Sequence, residues 1–577
     1  MRKFLAILAV FSLLIALLPA PQAHAAGGED QLLRIGLYYG ANALSEAKLQ
    51  NVTGYGSGYI LGTMNSYDEF VSYGYLSEVY LSMVWGDTYH VLDPNPYLNY
   101  TEAARAAQAY DGGFVRYAEG YFYVLIGTYA TSSEAASAAG SYGAGFTSCG
   151  CHSNTISVKN TQTGEVLFQF RSSSQKLAIM PVFPNGTWTS DDGSRRAITW
   201  HKANQYRGIF EYSLTGTLVN TVNIVSMNDY IKGVIPYEMS NSWPLEALKA
   251  QAMCARTYAI ANLGKHAGNG FDLCASTCCQ AYRGTGSANA RTDSAVDETA
   301  GMYITYDGEP INAVYCSSNG GATENCENIW TQPLGYLRAV RDDFEQYVNT
   351  GYSAWSYTIT LSEITSILRE RGNDISGSIV HAYAEYTEAG NIARLHFIDS
   401  AGHEIIYRGE SCRTLFNTAN SSIRIYSQRY IFEDAAAPRI TSNAQITNIS
   451  AAGSGVSSST GEASSASVLT AEGIYSAAGF YGSGVPILSS SGIDEAVGFY
   501  TTSGSGIFTP GSSSGSISAA GLPVPVSSSG TFMISGSGWG HNLGMSQYGA
   551  RAMAEQGYGA QDIIHYYYTD VSIAYAY

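Results

Sequence analysis

Charge is what this sequence has least of. Asp, Glu, Lys and Arg together make up only 13% of its 577 residues. Basic residues are the scarcer sign, 30 against 47 acidic, and the net charge is −17. No Lys/Arg cluster interrupts that negative field. Duplex DNA or RNA, which needs its phosphates neutralised, is therefore excluded as a partner. Adhesion to anionic lipid is opposed by the same field. Past the first eighteen residues no apolar run is long enough to span a bilayer. The nine cysteines are an odd number in a long chain, which excludes a small disulfide-stapled scaffold. A nucleophile-elbow pattern is also missing, so a Ser–His–Asp triad is not expected.

Apolar residues are plentiful at 45%, which rules out wholesale disorder. Glycine (62) and tyrosine (45) are abundant. The length predicts about three or four domains. At the start, Arg2 and Lys3 precede an apolar run from Phe4 to Leu18, and Ala23-His24-Ala25 follows. That is the pattern of a secretory leader cut after Ala25. It predicts a secreted protein at the cell wall or envelope exterior, touching the membrane only through the leader if that stays uncut.

Along the chain, α+β is the expected class: mainly strands, one buried helix, one C-terminal helix and a Ser/Gly-rich insert. Strands are expected at 32–40, near Tyr59, and over Tyr121–Ile126, Val166–Phe170, Tyr206–Tyr212 and Val222–Val225. Pro236-Tyr237-Glu238-Met239 reads as a short non-helical segment. Asn241 or Ser242 then caps a helix with Pro244 in its first turn. Leu245, Leu248, Ala252, Ala255 and Ala259 repeat at helical spacing, so this helix should run to about Asn262 and be buried. Residues 355–372 suggest a strand then a helix, and 379–409 a hairpin or meander. Between Glu433 and Ser535 the only basic residue is Arg439, and Ser, Gly, Ala and Thr dominate. A last helix is expected from about Met545 to Gln556, stopped by Gly557.

Four ordered motifs carry a resemblance. They are NDYIKGVIPYEMSNSWPLEALKAQAMCARTYAI (from Asn228), FDLCASTCCQAYRG (from Phe271), CSSNGGATENCENIWTQPLGYLRAVRDD (from Cys316) and GWGHNLGMSQYGARAMAEQGYGAQDIIHYYYTDVSI (from Gly538). Together they resemble the SpoIID/LytB family. The implied division is a leader at 1–25, an N-terminal β/α region at 26–150, a main domain at 151–432, the insert at 433–530 and a completing motif at 531–577. The strand–turn–helix near 113–145 resembles a sporulation-related repeat that binds peptidoglycan glycan. One branch of the family resembles lytic transglycosylases acting on denuded cell-wall glycan. The other, LytB-like, stimulates a wall amidase. A wall-binding protein reusing the fold is a third reading.

The resemblance implies that Glu238, in PYEM, is the catalytic acid. Cutting the MurNAc–GlcNAc bond requires a proton on the leaving oxygen. The same carboxylate can then take the proton of the muramic C6 hydroxyl, whose attack on C1 leaves a 1,6-anhydro end. One carboxylate suffices where hydrolases use two. Its pKa must be raised by an apolar pocket, for which Tyr237, Met239 and Trp243 are candidates. A helix starting just downstream pulls the other way. The plain alternative is that Glu238 caps that helix.

Tyr237, Arg256, Ser317, Ser318, Asn319, Trp539, His541 and Gln547 are candidate substrate-binding residues. Arg256 has a structural ion pair as its alternative, and the serine–asparagine turn has an ordinary turn. His541 is a candidate to orient Glu238. Trp330 and Tyr336 suit either sugar stacking or core packing. His266, Cys274, Cys278 and Cys279 are candidate ligands of one structural Zn²⁺. A Cys274–Cys278 disulfide and buried free thiols are the alternatives. Cys316 and Cys326 are a candidate disulfide pair.

Overall fold

The computed structural model describes residues 31–150, 154–191, 193, 195–330, 332–435 and 530–576, with a few backbone strand segments between 469 and 508. The leader, Cys151 and most of the Ser/Gly-rich insert lie outside the described residues. The chain divides into two units. Unit 1 holds 1–315, 335–338 and 544–577; unit 2 holds 316–334 and 339–543.

In unit 1 the alternating apolar segments of the first 230 residues become two sheets. One has seven strands, in the order Leu273–Cys274, Leu32–Tyr38, Leu218–Ser226, Ile209–Thr215, Leu177–Val182, Gly58–Met64 and Phe70–Leu76. The other has ten. Four consecutive strands of the ten-stranded sheet form a β-α-β-β-α-β unit. It runs Tyr89–Leu92, α1 (Tyr100–Ala107), Gly113–Ala118, Tyr121–Tyr129, α2 (Ser132–Ala139) and Thr147–Cys149. The strands stand in the sheet as second, third, first, fourth, the order of a ferredoxin-like unit. A capping box starts α2: Glu134 N–H donates to Thr131 Oγ1, and Thr131 N–H donates to the Glu134 carboxylate. The strand expected over Tyr206–Tyr212 is broken. Asn204–Tyr206 ends in the ten-stranded sheet, and Ile209–Thr215 starts in the seven-stranded one, with Gly208 at φ +87° between them.

The helical part of unit 1 surrounds one alanine-rich rod. Helix α3 (Met227–Glu238) runs through Pro236 and includes three residues, Pro236 to Glu238, of the segment expected to be non-helical, while Met239 is extended. Pro236 lies in the last turn, where its missing N–H removes one bond, and Met239 N–H closes the end on Ile235 O at 2.9 Å. Helix α4 (Leu245–Ala261) begins one residue after Pro244, which is itself the N-cap, without a side-chain cap. The residues expected to cap it are engaged elsewhere: Ser242 bonds Ser240, and Asn241 donates to Ser287 O. Nearly every residue of α4 from Ala247 to Ile260 is buried. Helices α3, α5 (Ala290–Asp297), α6 (Gln547–Glu555) and α7 (Ala560–Tyr567) pack around it. Alanine on several faces is what permits that many close neighbours. Gln556 and Gly557 end α6 close to the expected place, while α7 was not anticipated.

Unit 2 contains the strand and helix expected at 355–372, as Trp355–Thr360 and Leu361–Glu370, and the meander Ile379–Tyr386, Ile392–Asp399 and Glu404–Arg408. Thr531–Gly536 lies between Trp355–Thr360 and Tyr430–Asp434 in a three-stranded sheet. Ile364, Leu368, Phe397, Phe416, Phe432 and Ile534 anchor its core. Cys316 and Cys326 are both buried, and the expected disulfide between them is not formed. Each thiol is packed into the interior, Cys316 against Gly540. No described helix is long and apolar enough to cross a membrane.

Candidate active site

Glu238 is the last residue of α3, and its side chain is half-buried. The Ala281 N–H donates to Oε1 at 2.8 Å, and the Gln547 amide reaches Oε2 at 3.4 Å. Burial pushes this carboxyl above its usual range, over the opposing pull of the Ala281 N–H, the Gln547 amide and the Tyr315 hydroxyl. The C-terminal end of α3 also disfavours a negative charge there. Of the two effects left in competition by the sequence, burial is the larger, and it raises the pKa.

The surround of Glu238 is more polar than the sequence suggested. Gln547 Nε2 also approaches Gln251 Oε1 at 3.5 Å, and the Nε2 of fully buried Gln251 has no partner. Tyr315 donates to Gln280 Oε1 at 2.9 Å, and Gln280 donates to Ala255 O at 3.1 Å. Gln251, Gln280, Ala281 and Tyr315 were all missed in the sequence. Gln251 did carry one signal, an uncharged amide between Ala250, Ala252 and Met253 on the buried helix. Of the expected apolar wall, Met239 is buried, whereas Trp243 packs on Tyr548 with ring centroids 4.9 Å apart. Tyr237 is half-buried under the Arg283 guanidinium.

One contact sets the position of Ala281. Within α3, Gly233 lies where a Cβ would meet the Tyr282 ring at 2.4 Å. Helix-interior glycine is costly by itself. Here it lets Tyr282 seat against α3, donating to Asn223 Oδ1 at 2.6 Å, and so brings Ala281 to the carboxylate.

Beyond α4 the chain turns through His266 into the short strand Leu273–Cys274, which pairs in parallel with Leu32–Tyr38. His266 Nε2 lies 3.3 Å from Cys279 Sγ and 3.7 Å from Cys278 Sγ. One donor atom from each of His266, Cys274, Cys278 and Cys279 falls within 4.8 Å of all the others. All three thiols are free, so the alternative Cys274–Cys278 disulfide is not formed. A borderline-soft set of one imidazole and three thiols at this spacing fits a tetrahedral ion such as Zn²⁺.

Glu238, Gln251, His266, the three cysteines, Gln280 and Ala281 lie inside a stretch, residues 215–306, that matches the SpoIID (stage II sporulation protein) family model, while Tyr315 and Gln547 lie beyond it. The chain carries a SpoIID/LytB-family domain. It is 41% identical over 133 residues to the amidase enhancer of Bacillus subtilis, covering 23% of this chain and 17% of that protein. It is 29% identical over 145 residues to stage II sporulation protein D of the same organism, covering 22% and 42%. An uncharacterized protein of Brachyspira hyodysenteriae is 36% identical over 172 residues, covering 30% and 43%. The chain thus spans less than half the length of each of these relatives.

Other residues singled out in the sequence lie apart from Glu238 in role. Arg256, in the SpoIID domain, is fully buried and donates to Met302 O, Asn228 Oδ1 and Val296 O. These bonds hold its guanidinium in the interior of unit 1. Glu246 joins Lys249 at 2.8 Å and accepts Ala560 N–H at 2.9 Å, tying α4 to the start of α7. Tyr336 accepts Asn312 N–H and stands beside Tyr306.

In unit 2, Ser318 and Asn319 are buried. Glu345 accepts from Ser318 Oγ, Asn319 N–H and Gly320 N–H, while Asp342 accepts the Asn319 amide. These groups are hydrogen-bonded within the unit, as in the alternative reading of an ordinary turn. Ser317 is half-buried beside them. His541 Nδ1 accepts Leu543 N–H and its ring lies 5.7 Å from Trp330. Both His541 and Trp539 belong to unit 2.

Proposed function

We propose that this protein acts on the cell wall as a secreted lytic transglycosylase, cutting the MurNAc–GlcNAc bond of denuded peptidoglycan glycan. The observation that carries the reading is Glu238: a half-buried carboxyl with a raised pKa, gripped firmly at one oxygen and loosely at the other. The Ala281 N–H fixes Oε1. Oε2, with only a 3.4 Å contact, is the freer oxygen for proton transfer. Protonated Glu238 gives its proton to the glycosidic oxygen as the C1–O bond breaks. The carboxylate then takes the C6-hydroxyl proton of the muramic residue as that oxygen closes on C1. The proton count is restored and no water is consumed.

His266, Cys274, Cys278 and Cys279 are proposed to hold one Zn²⁺, a structural clamp at the loop after α4. Secretion rests on the leader pattern, Arg2 to Ala25. The unit from Tyr89 to Cys149 is a proposed glycan-binding repeat, supported by its β-α-β-β-α-β order.

A second reading has its own support. Identity of 41% to a protein named amidase enhancer favours a role in stimulating a wall amidase. Mass analysis of denuded glycan strands incubated with the purified mature protein separates the two. Anhydro-muramic ends are the expected product. Reducing muramic ends would mean hydrolysis. Intact strands, with an amidase accelerated by the same preparation, would replace the first reading with the second.

A further inference from the structure

Trp539 is 42% exposed, an unusual position for the largest side chain, yet its backbone is hydrogen-bonded through both its N–H and its carbonyl. Its N–H donates to Ser318 O at 2.8 Å, and its carbonyl accepts Ser318 N–H at 3.0 Å. On either side, Gly538 N–H donates to Tyr352 O at 2.8 Å and Gly540 N–H to Tyr426 O at 2.9 Å. Ser318 is itself clamped by buried Glu345. The indole is therefore presented by a fixed loop. Two half-buried tyrosines flank it: Tyr352 edge-on, with centroids 4.2 Å apart, and Tyr426 at 5.4 Å. Trp355 backs Tyr426 at 5.9 Å and donates to Gly538 O at 3.3 Å.

The chemistry around the rings is uniform. The three segments that build this surface, 346–355, 425–428 and 535–540, contain no charged residue. Their polar groups are hydroxyls and amides. The flanking Arg424 and Arg429 turn their guanidiniums to the carbonyls of Ser421 and Ala389. An exposed, preorganised aromatic surface rimmed by neutral donors and acceptors has the character of a ligand site that orients its occupant through a few polar groups. A sugar ring offers an apolar C–H face to the rings and hydroxyl and acetamido groups to the rim. A charged peptide finds no counter-charge here.

We infer that Trp539, Tyr352 and Tyr426 form a glycan platform in unit 2 that grips a β-1,4-linked, N-acetylated strand by stacking. This rests on the cell-wall reading above and extends it, because the platform is built from residues other than Glu238 and its neighbours. Rigidity is the reason it binds: the loop loses little freedom when the strand arrives.

The test uses the full mature chain carrying Glu238→Gln, so that the strand stays whole. The probes are chitotetraose, followed by tryptophan fluorescence, and insoluble denuded glycan, followed by co-sedimentation. Adding Trp539→Ala should weaken both by about tenfold or more, the scale of a binding anchor. Trp539→Phe should recover part of the loss, with unfolding midpoints unchanged. Tyr352→Ala and Tyr426→Ala should give smaller losses. Unchanged glycan binding in a folded Trp539→Ala chain overturns the platform, as does loss of amidase binding with glycan binding intact. The two readings fail separately. A wild-type chain that binds through Trp539 without cutting removes the transglycosylase. A chain that cuts with full affinity after Trp539→Ala removes the platform.

Discussion

For the proposed reaction Glu238 must carry a proton and be buried enough to hold it, and its place at the end of α3 buries it and raises its pKa. Replacing it with Gln keeps the shape and removes the acid. Glycan cleavage should fall by about 10²-fold or more, since general acid catalysis supplies 10²–10⁴. Stability gives an independent readout. A carboxyl whose folded pKa lies above its unfolded one binds more protons when folded. It therefore lowers stability above that folded pKa, and does not below the unfolded value near 4.3. Glu238→Gln should accordingly unfold at a higher temperature than the wild type at pH 7. The gap should close as pH falls through the raised pKa. A Tm that drops at pH 7 would show the carboxylate to be a stabilising partner. Wild-type cleavage should decline over the same interval as pH rises, because the charged form lacks the proton to donate. Two juxtapositions at this scale agree with the motifs: the Gln547 amide reaches Glu238, and His266, Cys274, Cys278 and Cys279 cluster. The burial of Arg256, Ser318 and Asn319 was not legible, because a polar side chain in a motif looks the same whether it faces solvent or a buried partner.

Elements decide whether those residues meet. Gly233 in α3 admits the Tyr282 ring, and the neighbouring Ala281 amide follows it to Glu238. Gly233→Ala should raise local helix propensity by about 1 kcal/mol yet destabilise the protein by about 1–3 kcal/mol through overpacking. It should also cut activity more than the stability loss explains, measured as kcat at a temperature where the variant is folded. Full activity would show that Tyr282 can shift without moving Ala281. The loop after α4 is the other such element. Protein purified without chelator should hold about one Zn²⁺ per chain. Cys274→Ser should release it and lower the unfolding midpoint, whereas Cys149→Ser should leave it bound. Zinc well below one equivalent, with Cys274 found in a disulfide by thiol counting, would put a covalent staple in its place. The boundaries of α3 and α4 escaped sequence reasoning for an identifiable reason. Pro236 and Pro244 are both tolerated at helix ends, so the pattern of prolines and caps marked a gap one turn too early.

On the scale of the whole molecule, the long Ser/Gly-rich segment leaves and rejoins the chain at one place. Tyr430–Asp434 and Thr531–Gly536 are paired strands, and Ala435 N–H donates to Thr531 O at 2.9 Å. Deleting 445–528 therefore shortens a connection whose ends already touch. Loop-closure entropy grows only with the logarithm of length, so a roughly tenfold shorter connection should stabilise unit 2 by about 2 kcal/mol. Loss of the cooperative unfolding transition on deletion would show that the segment belongs to a core. Composition, motif order and hydrophobic period by themselves determined an acidic, strand-rich α+β chain and a buried alanine-rich helix, while the resemblance singled out Glu238 as the candidate acid. They did so because these are properties of residue type and short spacing. The tertiary structure alone decided the pKa of that acid, the amide ring around it and the fixed exposure of Trp539. Each depends on groups such as Glu238 and Gln547, or Tyr352 and Trp539, that are far apart in sequence and become neighbours only through packing.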